Sequence, residues 1–171
     1  MENSGLEAVF LFGVRQLMTS PRPSSHMDRA LALARAAAED GEVPVGAVVI
    51  GPDGTIVGEA HNLTRTLKDP TAHAEMLAIR QAAERLSSER LTHCDLYVTL
   101  EPCPMCAAAI SFARIRRLYY GASDPKSGGV EGGPRIFSHA TCHHAPEVYP
   151  GLAEAECRAL LEQFFAGLRE G

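Results

Sequence analysis

The pair of segments Thr71-Ala72-His73-Ala74-Glu75 and Glu101-Pro102-Cys103-Pro104-Met105-Cys106 constrains this chain more than any other feature. One imidazole and two thiols can hold a zinc ion tetrahedrally and leave the fourth position for water, the layout of a catalytic rather than a closed structural site. His73, Cys103 and Cys106 are therefore the candidate ligands. Glu75, two residues past the histidine, falls near that water yet remains free to carry protons. Alone, the C-x-x-C pair reads equally as a structural zinc knuckle or a redox pair, and His73 as a satisfied histidine at a helix start. With H-A-E and P-C-P-M-C on separate strand–helix units, catalytic zinc is the better reading.

The rest of the chain has to support such a site. Its 171 residues fit one domain, and 46% hydrophobic with 22% charged residues suits a globular core that does not depend on metal for its stability. A net charge of −5 argues against indiscriminate coating of nucleic acid. A local excess of basic residues remains possible: Arg114 to Arg135 holds five basic residues against Asp124 and Glu131. Five cysteines, two of them in the C-x-x-C pair, indicate no disulfide framework and suit a reducing cytoplasm. Ala8 to Phe12 is apolar but too short to span a membrane, and it lacks the flanks of a signal peptide. No membrane association is expected.

Residues 1–26 read as a flexible N-terminal extension, breaker-rich at Pro21 to Ser25, with the metal-type motifs all inside a domain of residues 27–171. A helix is expected from Asp28 to Glu39, capped by Ser25 and Asp28 and stopped at Gly41. Gly46 to Ile50 and Thr55 to Ala60 read as a hairpin around the turn Gly51-Pro52-Asp53-Gly54. A polar loop from His61 to Pro70 precedes a helix over Thr71 to Arg85, whose first turn would carry His73 and Glu75. Leu96 to Leu100 is a strand delivering Cys103 and Cys106 into the first turn of a helix ending near Phe112. Arg117 to Gly121 follows as a strand, so this strand–helix–strand run implies a parallel crossover. A glycine-rich loop from Ser123 to Pro134, a weakly patterned segment to Pro150, and an amphipathic helix over Leu152 to Leu168 complete the chain.

Both metal-binding halves fall at expected helix starts, where the helix dipole and free N–H groups favour thiolates at Cys103 and Cys106. Pro102 and Pro104 cost little there. Bound zinc would lower the pKa of its water towards neutrality, and Glu75 would accept the proton and return it to the substrate.

Several further segments extend the motif: Gly41-Glu42-Val43-Pro44-Val45-Gly46-Ala47, Asn62, Asp69 to Glu75, Leu96 to Cys103, Tyr120-Gly121-Ala122-Ser123-Asp124-Pro125-Lys126, and the pair Phe164-Phe165. With them the chain, from about Met27 to Leu168, resembles the cytidine-deaminase-like superfamily, and most closely the bacterial tRNA-specific adenosine deaminases. The resemblance implies a three-layer α/β/α fold around a five-stranded mixed sheet. It also implies a cytoplasmic homodimer with one zinc ion per subunit, whose partner chain helps form an RNA groove. The implied reaction is conversion of adenosine to inosine at the wobble position in the anticodon stem-loop of an arginine tRNA, with zinc-bound hydroxide attacking C6 of a flipped base. By the same resemblance Asn62 would hydrogen-bond the base or its sugar, Asp124 and Lys126 would line the anticodon path, and Phe164 or Phe165 would hold flanking nucleotides.

Duller readings stand beside these roles. Asn62 can simply shape its loop, Asp124 and Lys126 can be surface charges, and one of the two phenylalanines should be core. Arg114, Arg116 and Arg117 read as a solvated helix end or a phosphate-binding patch. Cys142-His143-His144 has no convincing ligand spacing and reads as loop or RNA contact before a second metal site. Because the metal motifs are shared among nucleobase deaminases, deamination of free nucleobases or nucleosides, such as guanine or cytosine, is the alternative activity. A silent zinc module that only binds RNA or protein is a third reading, and Glu75 speaks against it.

Overall fold

A computed structural model of the protein describes residues 23–169. Its elements run α1 (Pro23–Glu39), β1 (Gly46–Ile50), β2 (Ile56–His61), α2 (Thr64–Leu67), α3 (Ala74–Leu86), β3 (Asp95–Leu100), α4 (Pro104–Phe112), β4 (Arg117–Ala122), β5 (Glu147–Tyr149) and α5 (Glu154–Arg169). Five strands form one sheet in the order β2-β1-β3-β4-β5. β1 pairs antiparallel with β2 and β3, while β4 pairs parallel with β3 and β5. The sheet is mixed, and the expected hairpin and parallel crossover are both present.

Strand alternation explains the three layers. Ala47, Val49, Leu96 and Val98 project to one face, where they pack with Ala74, Ala78 and Ala82 of α3 and Ala107 and Ile110 of α4. Val48, Ile50 and Tyr97 project to the other, against Met27, Ala30 and Leu31 of α1 and Cys157 of α5. With helices on both faces, all five residues of β1 are buried, which is why that strand reads as an unbroken apolar run. No described helix is long and apolar enough to cross a membrane.

Three expectations need correction. The first helix starts at Pro23, not Asp28. Pro23 is tolerated in a first turn, the His26 ring packs against Tyr97 at 5.1 Å, and Met27 is fully buried, so Ser25 lies within the helix rather than ahead of it. Residues 1–22, most of the expected extension, lie outside the described residues. Gly41 does end the helix, at φ +73°, with the Glu42 N–H bonded to the Ala37 carbonyl. Second, the loop after the hairpin contains the single turn α2. Third, the weakly patterned segment holds β5, a three-residue edge strand with no fully buried side chain.

Candidate active site

α3 and α4 begin side by side beneath the sheet, and their starts hold the metal-type residues. His73 and Cys103 are N-caps with extended backbone (φ −73°, ψ 151° and φ −68°, ψ 169°), one residue earlier than the expected first turn. For Cys103 the cause is Pro104, which disfavours helical geometry in the residue before it. Neither side chain caps its own helix. Both are free to face each other.

The imidazole Nδ1 of His73 lies 3.7 Å from Cys103 Sγ and 3.6 Å from Cys106 Sγ. All three donor atoms fall within 4.8 Å of one another, and no other such group occurs among the described residues. Tetrahedral bonds of about 2.0–2.3 Å give donor–donor edges of about 3.6 Å, so this triangle fits a zinc ion. The electrostatics agree. A hydrogen bond from Cys106, with His73 adding to it, draws the Cys103 thiol down to about 4, while Cys103 and burial push Cys106 far up. Cys103 is thus drawn towards the thiolate, the form in which sulfur binds a divalent cation. Hydrogen bonding to Cys103 raises His73.

Glu75 occupies the second position of α3 and is only 4% exposed. Burial pushes its carboxyl up to about 7, against the pull of its own N–H and of His73. With His73 and Cys103 it lines a cavity of about 200 Å³ that Asn62, Thr64 and Asp124 also reach. This cavity shares Val43, Leu100, Asp124 and Ser127 with an outer groove of about 500 Å³, bordered by Lys126, Arg158 and Phe165.

The remaining sequence candidates divide. Asn62 is buried and its Oδ1 accepts the Ala74 N–H at 2.9 Å, capping α3 in place of His73. Asp124 faces both cavities, but its Oδ1 accepts the Lys126 and Ser127 N–H groups at 3.0 Å each and so shapes its own loop. Phe165 is 42% exposed on the groove, and Phe164 sits half-buried edge-on to it at 5.4 Å, so neither is a core residue. Cys142 bonds Ser111 and the His144 carbonyl, while His144 bonds the Ile115 carbonyl. His143 is exposed, and its carbonyl accepts a bond from Arg114.

The arginines are also committed. Arg116 clamps Asp95 through two 2.8 Å bonds, and Arg117 bonds Glu147 at 3.0 Å. They stand where β4 starts, whereas the metal triangle lies beyond the end of β3, which runs parallel; that is roughly 17 Å along a six-residue strand.

Two carboxylates escaped the sequence reading. Glu42, fully buried, accepts bonds from the Arg65 and Thr66 N–H groups and from the Thr64 and Thr66 hydroxyls, which builds α2 beside Asn62. Glu101, at the end of β3, accepts four backbone N–H groups of the 123–134 loop. For Glu101 the available signal was an acidic residue directly after an apolar strand; Glu42, beside Glu39 and Asp40, had no such signal.

A helix–sheet–helix domain with a His-Cys-Cys triangle at two helix starts defines the class. A family profile described as the cytidine and deoxycytidylate deaminase zinc-binding region matches residues 21–122. Within that class the chain belongs to the tRNA-specific adenosine deaminase family. It is 63% identical over 139 residues to the tRNA-specific adenosine deaminase of Agrobacterium fabrum, covering 81% of this chain and 91% of that one. A solved structure from studies of A-to-I editing by tRNA:A34 deaminases is 61% identical, with a TM-score of 0.79 and coverage of 81% of this chain and 99% of the other. A guanine deaminase from Bacillus subtilis is 41% identical over 60% of this chain and 66% of its own, with a TM-score of 0.58.

Proposed function

We propose that this chain deaminates adenosine to inosine at the wobble position of an arginine tRNA. Water is consumed and ammonia released. The reading includes a cytoplasmic homodimer with one zinc ion per subunit, and a deaminase domain at residues 27–171. Similarity to the tRNA-specific deaminases supports the substrate class. The observation that carries the reading is the small cavity holding His73, Cys103 and Glu75, which shares four lining residues with a groove bearing Lys126 and Phe165.

His73, Cys103 and Cys106 would hold the zinc, which when bound supplies Lewis-acid activation of water. Glu75 does the proton work. A carboxyl raised by burial accepts a proton from the attacking water near neutral pH, then delivers protons to the ring nitrogen and the departing ammonia. With its oxygen occupied by Ala74, Asn62 has its carboxamide NH2 left for the base or ribose. The cavity admits a single base, so the adenine must leave the anticodon stack to react. Lys126 would then meet the phosphate path, and Asp124, Phe164 and Phe165 would border the flanking nucleotides.

The dimer reading draws on α4. Its sequence is apolar almost throughout, yet Met105, Ala108 and Ala109 are only half-buried and Phe112 is 68% exposed. Such a helix normally has a partner on every side.

The test is a deamination assay with zinc-loaded protein, comparing an arginine-tRNA anticodon stem-loop bearing wobble adenosine with free adenine, guanine and cytosine. Inosine in the stem-loop alone is expected. Ammonia from a free base with the RNA untouched would move the protein to nucleobase salvage.

A further inference from the structure

Glu101 stands two residues before Cys103 and is 4% exposed. Its Oε1 accepts the N–H groups of Val130 (3.2 Å), Glu131 (2.9 Å) and Gly132 (3.0 Å), and its Oε2 accepts that of Asp124 (3.0 Å). One carboxylate thus gathers both ends of a loop that has neither helix nor strand between Asp124 and Gly132. Charge-assisted bonds of this kind are among the stronger ones available to a backbone. Inside the loop the order continues: the Asp124 side chain accepts the Lys126 and Ser127 N–H groups, and its carbonyl accepts that of Gly128. Gly128 lies so close that a Cβ there would sit 2.6 Å from Glu101 Cδ and 2.5 Å from the Asp124 carbonyl oxygen. Glu101 and Asp124 both border the metal-type cavity, while Asp124, Lys126 and Ser127 border the outer groove.

A buried carboxylate used only for stability is a poor device, since an apolar residue of similar volume often serves as well. This one is spent entirely on a loop that faces the groove. We infer that Glu101 is a positioning residue for the RNA: it fixes the 124–132 loop so that Lys126 and Ser127 stand over the groove, and thereby sets substrate affinity rather than the chemical step. The inference rests on the tRNA reading proposed above.

The experiment measures kcat and KM on the anticodon stem-loop, with zinc content, for wild type, Glu101→Gln, Lys126→Ala and the double variant. Glutamine would turn an NH2 towards one of the loop's N–H donors and release part of the loop. The expected result for Glu101→Gln is a KM raised about tenfold, kcat within about threefold, and zinc content unchanged. Lys126→Ala should raise KM in the wild type and add little in the Glu101→Gln background, because the lysine is already displaced. Gly128→Ala, which wedges the loop off an intact carboxylate, should give the same split should the glutamine variant fold poorly. Multiplying effects of Glu101 and Lys126, a fall in kcat at constant KM, or loss of zinc would overturn the inference. A wild type inactive on the stem-loop would instead overturn the substrate reading; an active wild type indistinguishable from Glu101→Gln overturns this inference alone.

Discussion

The Asn62 Oδ1 accepts the N–H of Ala74 at 2.9 Å, so a side chain from the end of the hairpin caps the helix that carries Glu75. The same residue lines the cavity beside His73. Asn62→Ala should lose both roles, with about 1 kcal/mol of stability gone with the cap. Asn62→Asp retains the acceptor but not the NH2 group. Its melting temperature should stay near wild type while kcat/KM on the stem-loop falls. Equal loss of stability in both variants would show that the cap is not what Asn62 contributes.

Glu75 is expected to act on protons and not on metal. Glu75→Gln should keep its zinc, measured by elemental analysis, and lose about 10²- to 10⁴-fold in kcat, the usual contribution of a positioned acid–base group. Full turnover in that variant would remove Glu75 from the mechanism.

Removing the metal should separate activity from fold. Two apolar clusters, one on each face of the sheet, hold the domain together independently of the His-Cys-Cys triangle. Chelation, or Cys106→Ser, should abolish deamination and leave the far-ultraviolet circular dichroism close to that of the zinc-loaded protein. A collapse of helical signal on chelation would make the site structural as well as catalytic.

How much of this was legible in the chain depends on how far each feature reaches in sequence. Cys103 and Cys106 lie three apart at one helix start, and hydrophobic runs marked four strands, so these could be read locally. His73 joined them only through the chemistry of its residue type, since the fold brings it across a separation of 30 positions. The one-turn helix α2 has almost no sequence signature, because Glu42, some 22 residues earlier, assembles it. β5 exists by pairing with β4, and three edge residues carry no period to detect. The arginine cluster looked like a phosphate site because Asp95 and Glu147, its partners, arrive from neighbouring strands.

Glu42 predicts an acid-sensitive step in stability. Burial pushes its carboxyl up, but bonds from Thr66, Arg65 and Thr64 outweigh that and hold it below the ordinary value of 4.5. A carboxyl depressed in the folded state contributes stability above its unfolded pKa and loses it as pH falls through the folded value. The melting temperature should therefore decline below about pH 4.5. Glu42→Gln should start lower at pH 7 and decline less steeply than wild type over the same interval. Parallel curves for the two proteins would assign the acid response to other carboxylates.

The exposed end of α4 carries the last prediction. Phe112 is 68% exposed at the end of a helix whose outer face is Met105, Ala108 and Ala109, and its nearest aromatic contact is the His143 ring at 5.9 Å. An apolar surface of this kind on a small chain marks an interface, and a second copy of the chain is the proposed occupant. Phe112→Lys places a charge at that contact without touching the two core clusters. Sedimentation should then report a monomer where the wild type is a dimer, with thermal stability lowered in a concentration-dependent way. KM for the stem-loop should rise with dissociation, because the partner subunit is expected to border the groove, while zinc content stays constant. A variant that remains dimeric would place the interface on another face and leave Phe112 as an isolated surface aromatic.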